Sequence, residues 1–254
     1  MLNRRWANMK DRTVIAVFFV IGIIATLGIS TLYTAVIAPA FAPPPTLDQR
    51  YLAAIEDSMV AKESEIATNL TPITQNNSNL IWQGEGENAT VLVVTWTKYI
   101  NSYPIGENVT NNWGETWVTL APEIQTFFQN HVPSDDNYTL RAAQLLGLPA
   151  NSTNTYFVEL WVKPESLFRP TPDKEIADTT ASLIFPANTT SEYKEWFNSN
   201  IIYSYYPMKY PWTRLGYTYD WGDSPTHVGL SEFILEQNAT VMVKSVTSTV
   251  DYLK

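Results

Sequence analysis

Residues 89–97, ATVLVVTWT, decide the fold. The run is apolar or β-branched almost throughout, holds no Gly, Pro or charge, and has the length of a strand rather than a helix. A strand with apolar side chains toward both faces needs cover on both, so it is expected at the centre of a sheet. Working outward, residues 115–120 (ETWVTL) and 156–162 (YFVELWV) read as further strands, and 183–185 as a short one. Residues 230–236 and 239–246 read as a hairpin around Gln237-Asn238. Thr46 and Gln49 fit a capping box, and Tyr51, Leu52, Ile55, Met59 and Ile66 recur at helical spacing, which predicts an amphipathic helix over 47–67 packed on its own domain. Pro122 opens a helix running to about residue 131. A second, over 138–146, stops at Gly147 and Pro149, and a third, over 189–200, opens with Thr189 and Glu192. Residues 72–88, 101–112, 163–178 and 201–228 read as loop. Regular βαβ alternation is missing. The expected fold class is therefore α+β, a mainly antiparallel sheet with a few short helices.

Upstream, residues 14–38 carry no charge, while Arg4, Arg5, Lys10 and Arg12 precede them. At about 1.5 Å per residue such a stretch spans a hydrocarbon core of about 30 Å. The basic flank places the N-terminus in the cytoplasm. The expectation is a cytoplasmic tail (1–12), a single N-terminal transmembrane helix (13–38), a Pro-rich spacer (39–46) and one extracellular domain (47–254), with the lipid bilayer as partner. A cleaved signal peptide is the competing reading. Ala40-Phe41-Ala42 resembles a cleavage site, but Pro43 follows it directly.

The net charge is −9, and the first twelve residues carry +3 of it, leaving −12 on the rest. So acidic a body disfavours nucleic acid. There is no cysteine, which excludes disulfides, thiolate metal sites and a cysteine nucleophile. Asn-X-Ser/Thr sequons fall at Asn69, Asn76, Asn88, Asn108, Asn137, Asn151, Asn188 and Asn238, against about three expected by chance from this composition. All lie beyond the apolar stretch. They predict N-linked glycans on surface loops, and together with the absent cysteine they suit an archaeal cell-envelope protein.

The segment 203–232 concentrates aromatic and charged residues. Tyr210, Trp212, Tyr217, Tyr219 and Trp221 form a candidate ligand-binding face, since aromatic rings stack on sugars or cations. Packing of a long loop is the plainer account of the same residues. Arg214, Asp220 and Glu232 are the candidates for a catalytic site, were the domain an enzyme on carbohydrate or another small polar substrate. Asp220, Asp223, His227 and Glu232 match no metal-binding spacing, and His131 lies far from His227, so no metal or cofactor is expected. Asp135-Asp136-Asn137 reads as a solvated turn. Arg169 is expected to pair with Asp173 beside Glu175. No phosphate-binding glycine loop or nucleophile elbow is present.

The run Tyr210-PWTRLGYTYDWG, then Val228-GLSEFIL and Ala239-TVMVKSV, together with ATVLVVTWT, ETWVTLAPEIQTF and ELWVKPESLFRP, resembles an uncharacterised family of exported microbial proteins. The resemblance covers about residues 89–254. It implies a discrete domain and supplies no activity and no site. The function expected is a binding or structural role in the cell envelope, or as an accessory subunit beside other membrane proteins.

Overall fold

A computed structural model describes residues 43–222 and 226–254. Residues 47–254 pack as one unit. Its strands are β1 (Trp82–Gln83), β2 (Thr90–Thr97), β3 (Asn108–Thr110), β4 (Thr116–Leu120), β5 (Tyr156–Val162), β6 (Leu167–Phe168), β7 (Tyr217–Tyr219), β8 (Val228–Leu235) and β9 (Thr240–Ser248). The α-helices are α1 (Leu47–Ser58), α2 (Ala121–Asn130), α3 (Tyr138–Leu145), α4 (Ser191–Tyr205) and α5 (Thr249–Leu253). The sheet runs β3-β9-β5-β2-β4-β8-β6, with β1 on β2 and β7 on β8, and every pair is antiparallel.

The expected α+β class with an antiparallel sheet is observed, but the fold class needs one correction. Among the described residues no helix is long and apolar enough to cross a membrane. A transmembrane helix is thus no part of the described architecture, and the segment 13–38 assigned to it lies outside the described residues.

β2 is central, flanked by β5 and β4. Its alternate side chains serve two cores, which is why the run is apolar throughout. Val91 and Val93 pack with Val158, Leu160, Phe233 and Val243 on one face. Leu92, Val94 and Trp96 face the other way and meet Ile124 and Phe128 of α2, Leu145 of α3 and Leu253 of α5.

The expected β8–β9 hairpin does not form. β8 pairs with β4 and β6, and β9 with β3 and β5. Alternation tells a strand which face is buried and is silent about its neighbour. Antiparallel pairing through three intervening strands leaves β8 and β9 running in the same direction. Residues 236–239 therefore join opposite corners of the sheet. In a flat sheet those corners stand about 30 Å apart, from four steps of about 4.8 Å across and a strand of about 26 Å along. Five residue steps reach at most about 18 Å. The sheet must coil until its diagonal corners meet, an extreme form of the usual strand twist. Asn111, wholly buried, holds the corner. Its main chain receives the Asn238 N–H (2.7 Å) and donates to Ala239 (2.9 Å). Its side chain donates to the carbonyls of Glu236 (3.1 Å) and Leu235 (3.4 Å) and accepts from the Thr116 hydroxyl (3.1 Å).

Several element boundaries also move. α1 ends at Ser58 and does not continue to 67. The carbonyls that a longer helix would use are taken elsewhere: Ser58 O accepts from Tyr205 Oη (3.1 Å) and Met59 O from Arg214 (2.8 Å). Tyr51 and Ile55 pack on Phe197, Trp212 and Trp221, so the helix lies on its own domain as expected. α4 is capped by Thr190, one residue after the expected box, and runs on to Tyr205. The loop assignments 72–88, 101–112, 163–178 and 201–228 each hold a short strand, while 183–185 forms none.

Candidate functional site

The charged candidates separate in the fold. Asp220, 1% exposed, is held by Arg141 of α3 through two hydrogen bonds of 2.9 and 2.6 Å. A third bond, from the Gly222 N–H at 3.0 Å, closes the local turn. Arg214 donates to the carbonyls of Ser58 and Met59, and its guanidinium lies 5.3 Å from the Tyr205 ring centre. Neither side chain lines the large pocket described below. Arg214, Asp220 and Glu232 are therefore not one catalytic cluster. His227 stacks on Tyr219 at 4.9 Å, and Asp223 lies outside the described residues. Among the described residues no group of three or more His, Cys, Asp or Glu is placed to hold a metal ion.

Arg169 is fully buried and pairs with Asp178 (2.8 Å), not with Asp173 as expected. It also donates to the carbonyls of Thr180, Thr71 and Asp178. Burial pulls its pKa down, against the pull of Asp178, Asp173 and Glu123. Asp173 instead accepts from the Thr171 hydroxyl and the Ser182 N–H. Asn137 caps α3 by accepting from Leu140, and Asp135 bonds the Asn137 N–H, so 135–137 is a helix-entry turn.

Four of the five aromatic candidates, Tyr210, Trp212, Tyr217 and Tyr219, line one pocket of about 810 Å³. Trp221 does not; its indole donates to Leu148 O (2.9 Å) and its ring meets Tyr51 edge-on. One wall of the pocket is the sheet, where cross-strand partners share a face. Val94, Thr119 and Glu232 are successive partners across β2, β4 and β8 and all line it. Trp117 lies two residues along β4 from Thr119, so it leaves the same face, and it meets Trp212 edge-on at 6.0 Å. Other parts of the wall come from Asn200, Tyr203 and Ser204 on α4 and from 146–148 after α3. Among the described residues the lining has eleven aromatic residues and two carboxylates, Glu115 and Glu232, and contains no Lys, Arg or His.

Glu232 is the chemical centre of this pocket. Protein atoms crowd it except where it meets the pocket, and burial alone pushes its pKa up to about 8. No side-chain hydrogen bond or ion pair is formed by its carboxyl among the described residues. Glu159 sits in the same row of the sheet, as the partner of Val94, and makes the contrast. It accepts from Ser245 (2.8 Å) and Tyr252 (3.1 Å) and pairs with Lys244 at 2.9 Å. A third crowded carboxyl, Glu123 of α2, has its pKa raised by burial and accepts from Thr71 and from both the N–H and hydroxyl of Ser231. Glu232 alone of the three is left without a partner.

Trp96 and Trp117 were missed as pocket residues. They stand in strands read as core, and the pattern that could have marked Trp117 is a large aromatic at an outward position of ETWVTL. Scans against protein-family models, curated proteins and solved structures gave no match.

All eight sequon asparagines are exposed. Of the other nine described asparagines, Asn77, Asn111, Asn154 and Asn200 are buried or half-buried, so exposure is not simply a property of asparagine in this chain. No sequon asparagine lines the pocket.

Proposed function

We propose that this chain is an exported, N-glycosylated protein of the cell membrane, and that its 47–254 domain binds a small ligand in the pocket around Glu232. The observation that carries the binding reading is the pocket itself. It has about 810 Å³ of space, an aromatic lining and one carboxyl with no side-chain partner among the described residues. Pockets of this size with polar groups set among apolar and aromatic walls are the usual form of a small-molecule site. Export and glycosylation are supported by the uncharged stretch after a basic tail and by eight exposed sequons. Glycans there would leave the pocket lining bare.

Binding is favoured over carbohydrate hydrolysis by the carboxylates. Glycoside hydrolysis uses two, about 5–9.5 Å apart. The second carboxylate of this lining, Glu115, stands just ahead of β4, four residues before Thr119, the partner of Glu232, which is about 13 Å of extended chain.

Two measurements test the reading. Protein from its native host should exceed the bare 28.7 kDa by intact mass and return to it on deglycosylation; an unmodified mass removes the glycoprotein claim. Titration of a panel of small polar compounds against tryptophan fluorescence should yield a ligand whose affinity falls at least tenfold in Trp117→Ala. Equal affinity in that variant would move binding away from this pocket.

A further inference from the structure

We infer that the pocket is a receptor for an organic cation, an alkylammonium group that pairs with Glu232 and packs against the faces of Trp117 and Trp212. The inference rests on the pocket-binding reading and assigns its ligand class. A carboxyl set in a crowded wall needs a partner. Serine, tyrosine and lysine supply one to Glu159, and Thr71 and Ser231 to Glu123, but among the described residues no ion pair or hydrogen bond reaches the Glu232 carboxyl. The missing charge belongs to the ligand.

The surroundings point to the same sign. Among the described residues the lining has no cationic side chain, so an anionic ligand would meet two carboxylates and no positive charge in the wall. Tryptophan and tyrosine faces attract ammonium groups through the ring quadrupole. The rim already shows this chemistry: the Lys209 ammonium sits 3.8 Å from the centre of the Tyr203 ring, and Tyr203 is part of the lining. The −12 charge carried after residue 12 draws cations toward the domain.

Binding should depend on pH through Glu232, because the ionised carboxyl is the form that pairs. Other titratable or charged groups stand nearby. Tyr205 and Tyr217 are held up at about 12, Tyr219 is raised further by burial and its bond to Asp57, and Arg214 lies behind Tyr205. Glu115 is at the rim, and His227 stacks behind Tyr219.

The test uses the full chain in a non-ionic polyoxyethylene detergent, since a glycoside detergent would itself probe the pocket. Choline and tetramethylammonium are titrated against tryptophan fluorescence at pH 6.5 and 9, with 3,3-dimethylbutanol as the uncharged isostere of choline. Choline should bind at least tenfold tighter than the isostere at pH 9. Its affinity should rise about tenfold or more between the two pH values, as the carboxyl ionises. Glu232→Gln should flatten that profile and bring choline down to the level of the isostere. Glu115→Gln and His227→Gln should keep the profile, and Trp117→Ala should weaken choline with an unchanged circular dichroism spectrum. Equal binding of choline and its isostere, or a flat profile in the unaltered protein, overturns the inference. If the isostere or a neutral saccharide binds and is lost in Trp117→Ala, the pocket-binding reading survives and the cation assignment falls. If no compound binds in any arm, both fall.

Discussion

Asn111 shows how much one polar side chain can hold in this fold. It is wholly buried, and its amide bonds two carbonyls at the end of β8 and the Thr116 hydroxyl at the start of β4. Its main chain meanwhile ties the turn before β9. Asn111→Ala leaves those groups unsatisfied in a dry site, and should lower stability by about 2–3 kcal/mol in urea unfolding followed by tryptophan fluorescence. Glu232 acts on stability in a different way. Its folded pKa, pushed up to about 8, exceeds that of a glutamate in the unfolded chain. The folded state therefore binds more protons between about pH 4.5 and 8 than the unfolded state does, so stability falls as pH rises through that window. Glu123 is shifted in the same direction and adds to the slope. Melting temperatures of the unaltered protein should drop from pH 5 to pH 8.5. Those of Glu232→Gln should drop less, and the variant should be the more stable of the two at the upper end.

Among the elements, β7 and α3 are joined by charge. Asp220, one residue after β7, takes a two-pronged bond from Arg141 of α3, and the guanidinium lies 4.8 Å from the Phe127 ring centre on α2. Removing one member of so buried a pair strands the other. Asp220→Asn should cost about 3 kcal/mol of stability and leave choline binding measurable, because Asp220 stands outside the pocket lining. Direct loss of binding with full stability would place Asp220 in the site. The approach to β7 is equally constrained. Gly216 has φ +78°, and a Cβ there would lie 2.5 Å from Arg169 Cδ, so the chain passes close over the buried aliphatic stem of Arg169 only because this residue has no side chain.

For the whole molecule, the coiled sheet makes its two cores interdependent. β2 contributes alternate side chains to both, so neither core can dissolve without freeing the strand they share. Secondary structure and tryptophan environment in residues 47–254 should accordingly be lost together. Far-UV circular dichroism and fluorescence melts should coincide within error. Separate midpoints would mean that the face carrying α2, α3 and α5 detaches first.

How much was legible in the sequence follows from what local pattern encodes. The strands β2, β4 and β5 and the helices α2 and α3 were readable because alternation and helical spacing are local consequences of which face is buried. The eight exposed sequons and the aromatic set Tyr210, Trp212, Tyr217 and Tyr219 were readable as residue types. Strand order was not: β8 and β9 each alternate as a hairpin would, yet their partners are chosen by the twist that brings opposite corners together. Nor could the sequence sort Arg214, Asp220 and Glu232. Each is a charge in one aromatic segment, and only the neighbours brought by α1 and α3 satisfy the first two and leave the third facing open space. Composition and local periodicity thus determined the class of fold and the kinds of side chain available. Tertiary structure decided which strands meet and which carboxyl goes unpaired, because both depend on contacts between residues far apart in the chain.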